Sequence, residues 1–144
     1  TSTYNDFIDI PPWVKRITVM FDDLSFNATA FSLIQVGTGG SPQTSGYLST
    51  AFSYNSSTQQ SATNGFVADQ TSTNTVTRYG HMTICNMTGN TWTYSGVILA
   101  GASAAKNVQS SAGIVTLGGV LDMVRITSTS GATFDAGTVN IFYE

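Results

Sequence analysis

Cysteine and histidine each occur once in the 144 residues, as Cys85 and His81. A lone cysteine rules out a disulfide within the chain and suits folding in a reducing compartment. One Cys, one His and scattered carboxylates fall short of the three or four converging ligands of a single-chain metal site, so neither metal nor cofactor is expected. Nucleophilic catalysis needs an activated Ser or Cys beside an oriented histidine. His81 and Cys85 share one face of an alternating run but lie too far apart along it to touch, so no catalytic residues are assigned. Charge is scarce as well, at 9% of residues against roughly 25% in an average soluble domain. Five Lys and Arg with a net charge of -3 argue against nucleic acid, whose backbone needs several cationic contacts. No apolar run approaches the length of about 20 residues that spans a bilayer, and no signal-peptide pattern opens the sequence. Helical periodicity is also missing from every stretch of ten or so residues.

Ser and Thr supply the polarity instead, at about a quarter of the chain. A hydroxyl-rich, weakly charged surface favours neutral partners such as sugars, and close self-packing, over electrostatic capture. The length fits one domain, residues 1–144, with a single core. The sequons at Asn27, Asn55 and Asn86 are what chance gives in a chain so rich in Asn, Ser and Thr.

Strand signals recur every ten or so residues. Phe7 alternates with polar neighbours before Pro11-Pro12 breaks any ladder. From Val14 to Phe21, Ile17, Val19 and Phe21 face one way, and Asp22-Asp23 reads as a turn rather than a catalytic pair. Phe31 to Val36 is a core strand. The glycine cluster from Gly37 to Pro42 lacks the Gly-Lys-Ser/Thr of a phosphate loop, so an exposed loop is expected. Tyr47 to Tyr54 alternates as a strand with Phe52 and Tyr54 on one face. Asn55 to Thr77 is nearly all Ser, Thr, Asn, Gln and Ala, which predicts long surface loops around a short strand at Gly65 to Ala68. Arg78 to Met87 and Thr91 to Leu99 form the clearest hairpin, through Thr88-Gly89-Asn90. Ala100 to Ala112 reads as a short helix or as a loop with a strand edge. Val124 to Thr127 and Val139 to Phe142 flank a Ser/Thr/Gly turn as a closing hairpin, so the chain ends inside its fold. The pattern predicts an all-β, antiparallel β-sandwich or jelly roll.

Aromatic residues border the polar middle stretch. Tyr47, Phe52, Tyr54 and Tyr79, with Asn55, Gln59 and Arg78, are the candidate binding residues, since rings beside amides and hydroxyls suit stacking on sugars.

Three blocks carry a resemblance: IPPWVKRITVMF at Ile10 to Phe21, GHMTICNMTGNTWTYSGV at Gly80 to Val97, and LDMVRITSTSGATFDAGTVNIFYE at Leu121 to Glu144. The chain resembles the C-terminal domains of tail fibres and related minor tail proteins of tailed bacteriophages, particularly phages of Gram-negative hosts such as Acinetobacter. The closing Phe134-Asp135-Ala136-Gly137, followed by Asn140-Ile141 to Glu144, is its most specific part, whereas Gly37 to Thr77 matches least. Pro12 and Met123 depart from the usual Ser and basic residue of the family. The resemblance implies a homotrimeric fibre tip in the virion, made in the host cytoplasm, that adsorbs to a surface polysaccharide or outer-membrane protein without catalysis. A capsule-depolymerase fragment and a purely structural trimerisation cap are the alternatives.

Overall fold

The computed structural model describes residues 2–102, 104 and 106–144. Twelve strands and no helix occur among the described residues: β1 (Tyr4–Phe7), β2 (Arg16–Phe26), β3 (Ser32–Thr38), β4 (Ser41–Pro42), β5 (Leu48–Ser53), β6 (Gln59–Ala62), β7 (Phe66–Val67), β8 (Thr77–Thr88), β9 (Thr91–Gly101), β10 (Asn107–Thr116), β11 (Met123–Ser128) and β12 (Phe134–Tyr143). They form two antiparallel sheets. The smaller runs β1-β11-β3-β4, with β7 also paired to β3, and the larger runs β12-β2-β8-β9-β10-β5-β6. Two antiparallel sheets packed on one core are consistent with a β-sandwich, and β8, β9 and β10 are consecutive neighbours in a meander.

Period-two alternation explains the core. Ile17, Val19 and Phe21 of β2, Met82 and Ile84 of β8, and Trp92, Tyr94 and Ile98 of β9 point inward. They meet Ile34 and Val36 of β3 and Val124 and Ile126 of β11 from the other sheet. Burying each of the larger side chains contributes about 1.5–3 kcal/mol. At the centre Phe66 stacks on Tyr94 at 4.7 Å and meets Tyr47 edge-on at 4.9 Å. Gly113 leaves room for this stack, since a Cβ there would lie 2.8 Å from the Phe66 ring. β3 is buried on both faces, Leu33 packing outward on Val67 and Ala51.

Several expectations are corrected. Asp22-Asp23 is not a turn: β2 runs through it to Phe26, with a register shift between Phe21 and Leu24 and Asp23 at φ 55°. A β-bulge uses the same left-handed tolerance of Asp that suggests a turn. Gly37 to Pro42 is a tight hairpin, in which Gly39 and Gly40 both take positive φ between paired Thr38 and Ser41. Ala100 to Ala112 contributes β10, which lies between β9 and β5 inside the larger sheet; Ser103 and Ala105 lie outside the described residues. The polar middle stretch supplies β6 as well as β7, and Phe66 to Asp69 is buried. The closing hairpin does not exist, because β11 pairs with β1 and β3 whereas β12 pairs with β2. β12 therefore forms an edge, bonded within the sheet on one side only.

Candidate functional site

The register of the larger sheet brings an apolar strip to its outer face. Tyr79 of β8 is opposite Leu99 of β9, which is opposite Val108 of β10. Tyr54, just after β5, donates its backbone N–H to the Val108 carbonyl at 3.1 Å. Three inter-strand gaps of about 4.8 Å make the strip about 14 Å long. Tyr54 is 66% exposed, Val108 45% and Leu99 41%. Phe52, two residues back on the same face, meets the Tyr54 ring edge-on at 5.7 Å. Gln59 sits opposite Phe52 on β6, and Asn55 is exposed in the turn between the two strands.

Tyr79 closes the other end. Its hydroxyl donates to the Asp23 carboxylate, and that bond holds the phenol above its ordinary pKa. The Lys106 ammonium lies 5.3 Å from the ring centroid, close enough for cation–π attraction.

A buried polar network holds the turn that carries Tyr54 and Asn55. The Gln109 side chain donates to Ser53 Oγ at 3.2 Å and Thr71 Oγ1 at 2.7 Å, and accepts from the Gln70 backbone N–H at 2.8 Å. Ser53 Oγ donates to Asn55 Oδ1 at 2.7 Å, and Gln70 Nε2 donates to Thr58 Oγ1 at 2.7 Å. Beneath them Arg78 is ion-paired with Asp69, both at or below 1% exposure. Arg78 also donates to the carbonyls of Ala30 at 2.9 Å, Val76 at 3.2 Å and Thr71 at 3.2 Å, and lies 4.8 Å above the Phe26 ring. Asp69 accepts from the Ser32 backbone N–H at 3.0 Å and its hydroxyl at 3.3 Å. Burial pushes the Asp69 carboxyl up, and the Arg78 guanidinium pulls it back.

Five of the seven residues named from the sequence thus lie on this outer face or its rim: Phe52, Tyr54, Asn55, Gln59 and Tyr79. Tyr47 and Arg78 do not reach solvent, each being 1% exposed. The Tyr47 hydroxyl donates to the Val36 carbonyl at 3.0 Å and accepts from the Val36 N–H at 2.9 Å, which makes it a core residue. Arg78 anchors the loop beneath the site. Leu99 and Val108 are not among the residues that the sequence singles out, because the second lies in a segment that reads as a short helix or as a loop with a strand edge; the alternation of Tyr79, His81 and Val97 is the available signal.

Elsewhere, His81 and Cys85 lie on the same outer face. Among the described residues no group of three or more His, Cys, Asp or Glu converges as a metal cage. A shallow cleft of about 680 Å³ opens between β1 and the start of β12, lined by Tyr4, Leu24, Phe134 and Val139, with Asp135 as its one acid. Asp135 accepts a hydrogen bond from Ser25. Compared with protein-family models, with curated proteins and with solved structures, the chain matches none.

Proposed function

We propose that this chain is a non-catalytic receptor-binding domain, the tip of a phage tail fibre, which works as a homotrimer and adsorbs to a neutral polysaccharide on the host surface. The observation that carries the reading is the strip from Tyr79 to Tyr54, extended by Phe52 and rimmed by Asn55 and Gln59. Ring faces and apolar side chains stack on the C–H faces of sugars, while amides and hydroxyls take their hydroxyl groups. Such a strip needs a rigid support, since a ligand must not be charged for ordering it, and a seven-stranded sheet provides that. Beyond the Asp23 and Lys106 that flank Tyr79 at one end, the residues of the strip and its rim are uncharged, which suits a neutral glycan.

Fluorescently labelled protein should decorate susceptible cells and spare mutants lacking the surface polysaccharide. Phe52→Ala and Tyr54→Ala should each weaken decoration about tenfold, corresponding to about 1.4 kcal/mol, with folding unchanged because both rings are partly exposed. Wild-type protein that binds no susceptible strain, or both variants binding like the wild type, would overturn the reading. Release of reducing sugar from that polysaccharide would point to a depolymerase instead.

A further inference from the structure

The two sheets cover the core incompletely along the seam between β1 and β12. The partly buried apolar side chains that pack against the main core are Phe7, Phe134, Val139 and Ile141, and all of them lie on these two strands. The cleft of about 680 Å³ walled by Tyr4, Leu24, Phe134 and Val139 opens between the same strands. One end of the seam is pinned by the Phe134 N–H, which donates to the Ser2 carbonyl at 2.9 Å.

The backbone along the rest of β12 is an open ladder. Arg16 and Glu144 exchange both of their N–H···O bonds, at 2.9 and 3.0 Å. The register runs without a shift from Thr138 to Tyr143. Hydrogen bonding alternates along such a pair, so the N–H and C=O groups of Val139, Ile141 and Tyr143 point away from β2. One of these groups is capped locally, since Asn140 Oδ1 accepts from the Ile141 N–H at 2.8 Å. The usual protections of an edge are missing from Thr138 to Tyr143, which has no charge and no proline. Both bulges of the strand precede it.

We infer that this seam receives an extended segment of a separate polypeptide, which adds to the edge of β12 and seats alternate apolar side chains in the cleft. A ladder of backbone donors and acceptors specifies another strand, because neither a sugar nor a flat apolar surface repeats such groups at that spacing. The half-covered Phe134, Val139 and Ile141 specify an apolar residue at every second position of the incoming strand. Asp135 is the acid lining the cleft, and with a net charge of -3 on the chain it favours a Lys or Arg beyond the apolar run. The β12 of a second copy does not serve, since its Val139 and Ile141 already pack against its own core. β2 separates the seam from the strip that begins at Tyr79 on β8, so both can be occupied together.

Titration calorimetry of the full chain with the peptide acetyl-VTVTVTK-amide tests this. Saturable binding tighter than about 1 mM is expected. A strand has two edges, so of two isomers N-methylated at alternate residues, one should bind about tenfold more weakly and the other like the parent peptide. Ala136→Phe, which fills the cleft from an exposed position, and Tyr143→Pro, which removes an N–H pointing away from β2, should each weaken binding about tenfold. Their far-ultraviolet circular dichroism should match the wild type, and Tyr54→Ala should bind the peptide normally. Absence of saturable binding, equal binding of the two isomers, or wild-type binding by both seam variants would overturn the inference. A wild type that dimerises and loses peptide binding as it does so would give the edge to a second copy and overturn it as well.

Discussion

Replacing Arg78 by methionine should destabilise the protein strongly, and the penalty should shrink in acid. The guanidinium carries an ion pair to Asp69 and three hydrogen bonds to carbonyls, all in a site with 1% exposure or less. Removing one partner of a buried pair costs about 3–5 kcal/mol, because the other charge is left uncompensated. A shift of roughly 10 °C in the melting temperature is expected for a domain of this size. The residual Asp69 carboxyl, already pushed up by burial, would lose the cation that pulls it back. In the variant its folded pKa therefore lies well above the unfolded value of about 3.9. On raising the pH the unfolded chain ionises first, so stability falls by up to about 1.4 kcal/mol per pH unit until the folded group ionises too. The contribution is fully present below about pH 3.9 and lost as pH rises through the folded pKa. Asp69→Asn should show the contrast, since it breaks the same ion pair but leaves no buried carboxyl in the folded variant to titrate. Urea unfolding followed by circular dichroism from pH 5 to pH 8 measures both variants. An Arg78→Met cost below about 1 kcal/mol, or a penalty that grows on acidification, would refute the reasoning.

Burial holds the Tyr47 phenol at about 12 and pushes Tyr94 further up. The unfolded chain ionises near 10, so stability should fall between pH 10 and 12, by on the order of 2–3 kcal/mol for Tyr47. Tyr47→Phe should flatten that part of an alkaline unfolding profile. Gly137 has φ 81°, and a Cβ there would sit 2.3 Å from the Asp23 carbonyl. Gly137→Ala should therefore cost at least ~1 kcal/mol in thermal unfolding, and a neutral result would mean that the bulges of β12 relax freely.

Alternation made most of the larger sheet legible. Ile17, Val19 and Phe21 told the inner face of β2, and the Gly89 turn told the β8–β9 hairpin. β10 was hidden because its small residues answer to large ones far away in sequence: Gly113 is a glycine on account of Phe66, which no local pattern reveals. The segment after β11 carries ordinary turn residues, and a turn signal says that the chain bends without saying which sheet receives it. A charged residue beside a Tyr is normally exposed, so Arg78 reads as a surface residue, and its partner Asp69 lies in a stretch whose composition reads as loop. The aromatic half of the candidate site was legible from Phe52 and Tyr54 on one face. Leu99 and Val108 became neighbours only through the β9–β10 pairing.

The position of β2 bears on how the protein reaches its native state. One flank is zipped to β8 and the other to β12, where Arg16 and Glu144 bond across 128 intervening sequence steps. Closing so long a loop is entropically slow, and chains dominated by such distant pairings fold in milliseconds to seconds. During that interval Ile17, Val19 and Phe21 lack their eventual neighbours, so concentrated refolding should favour aggregates seeded at this segment.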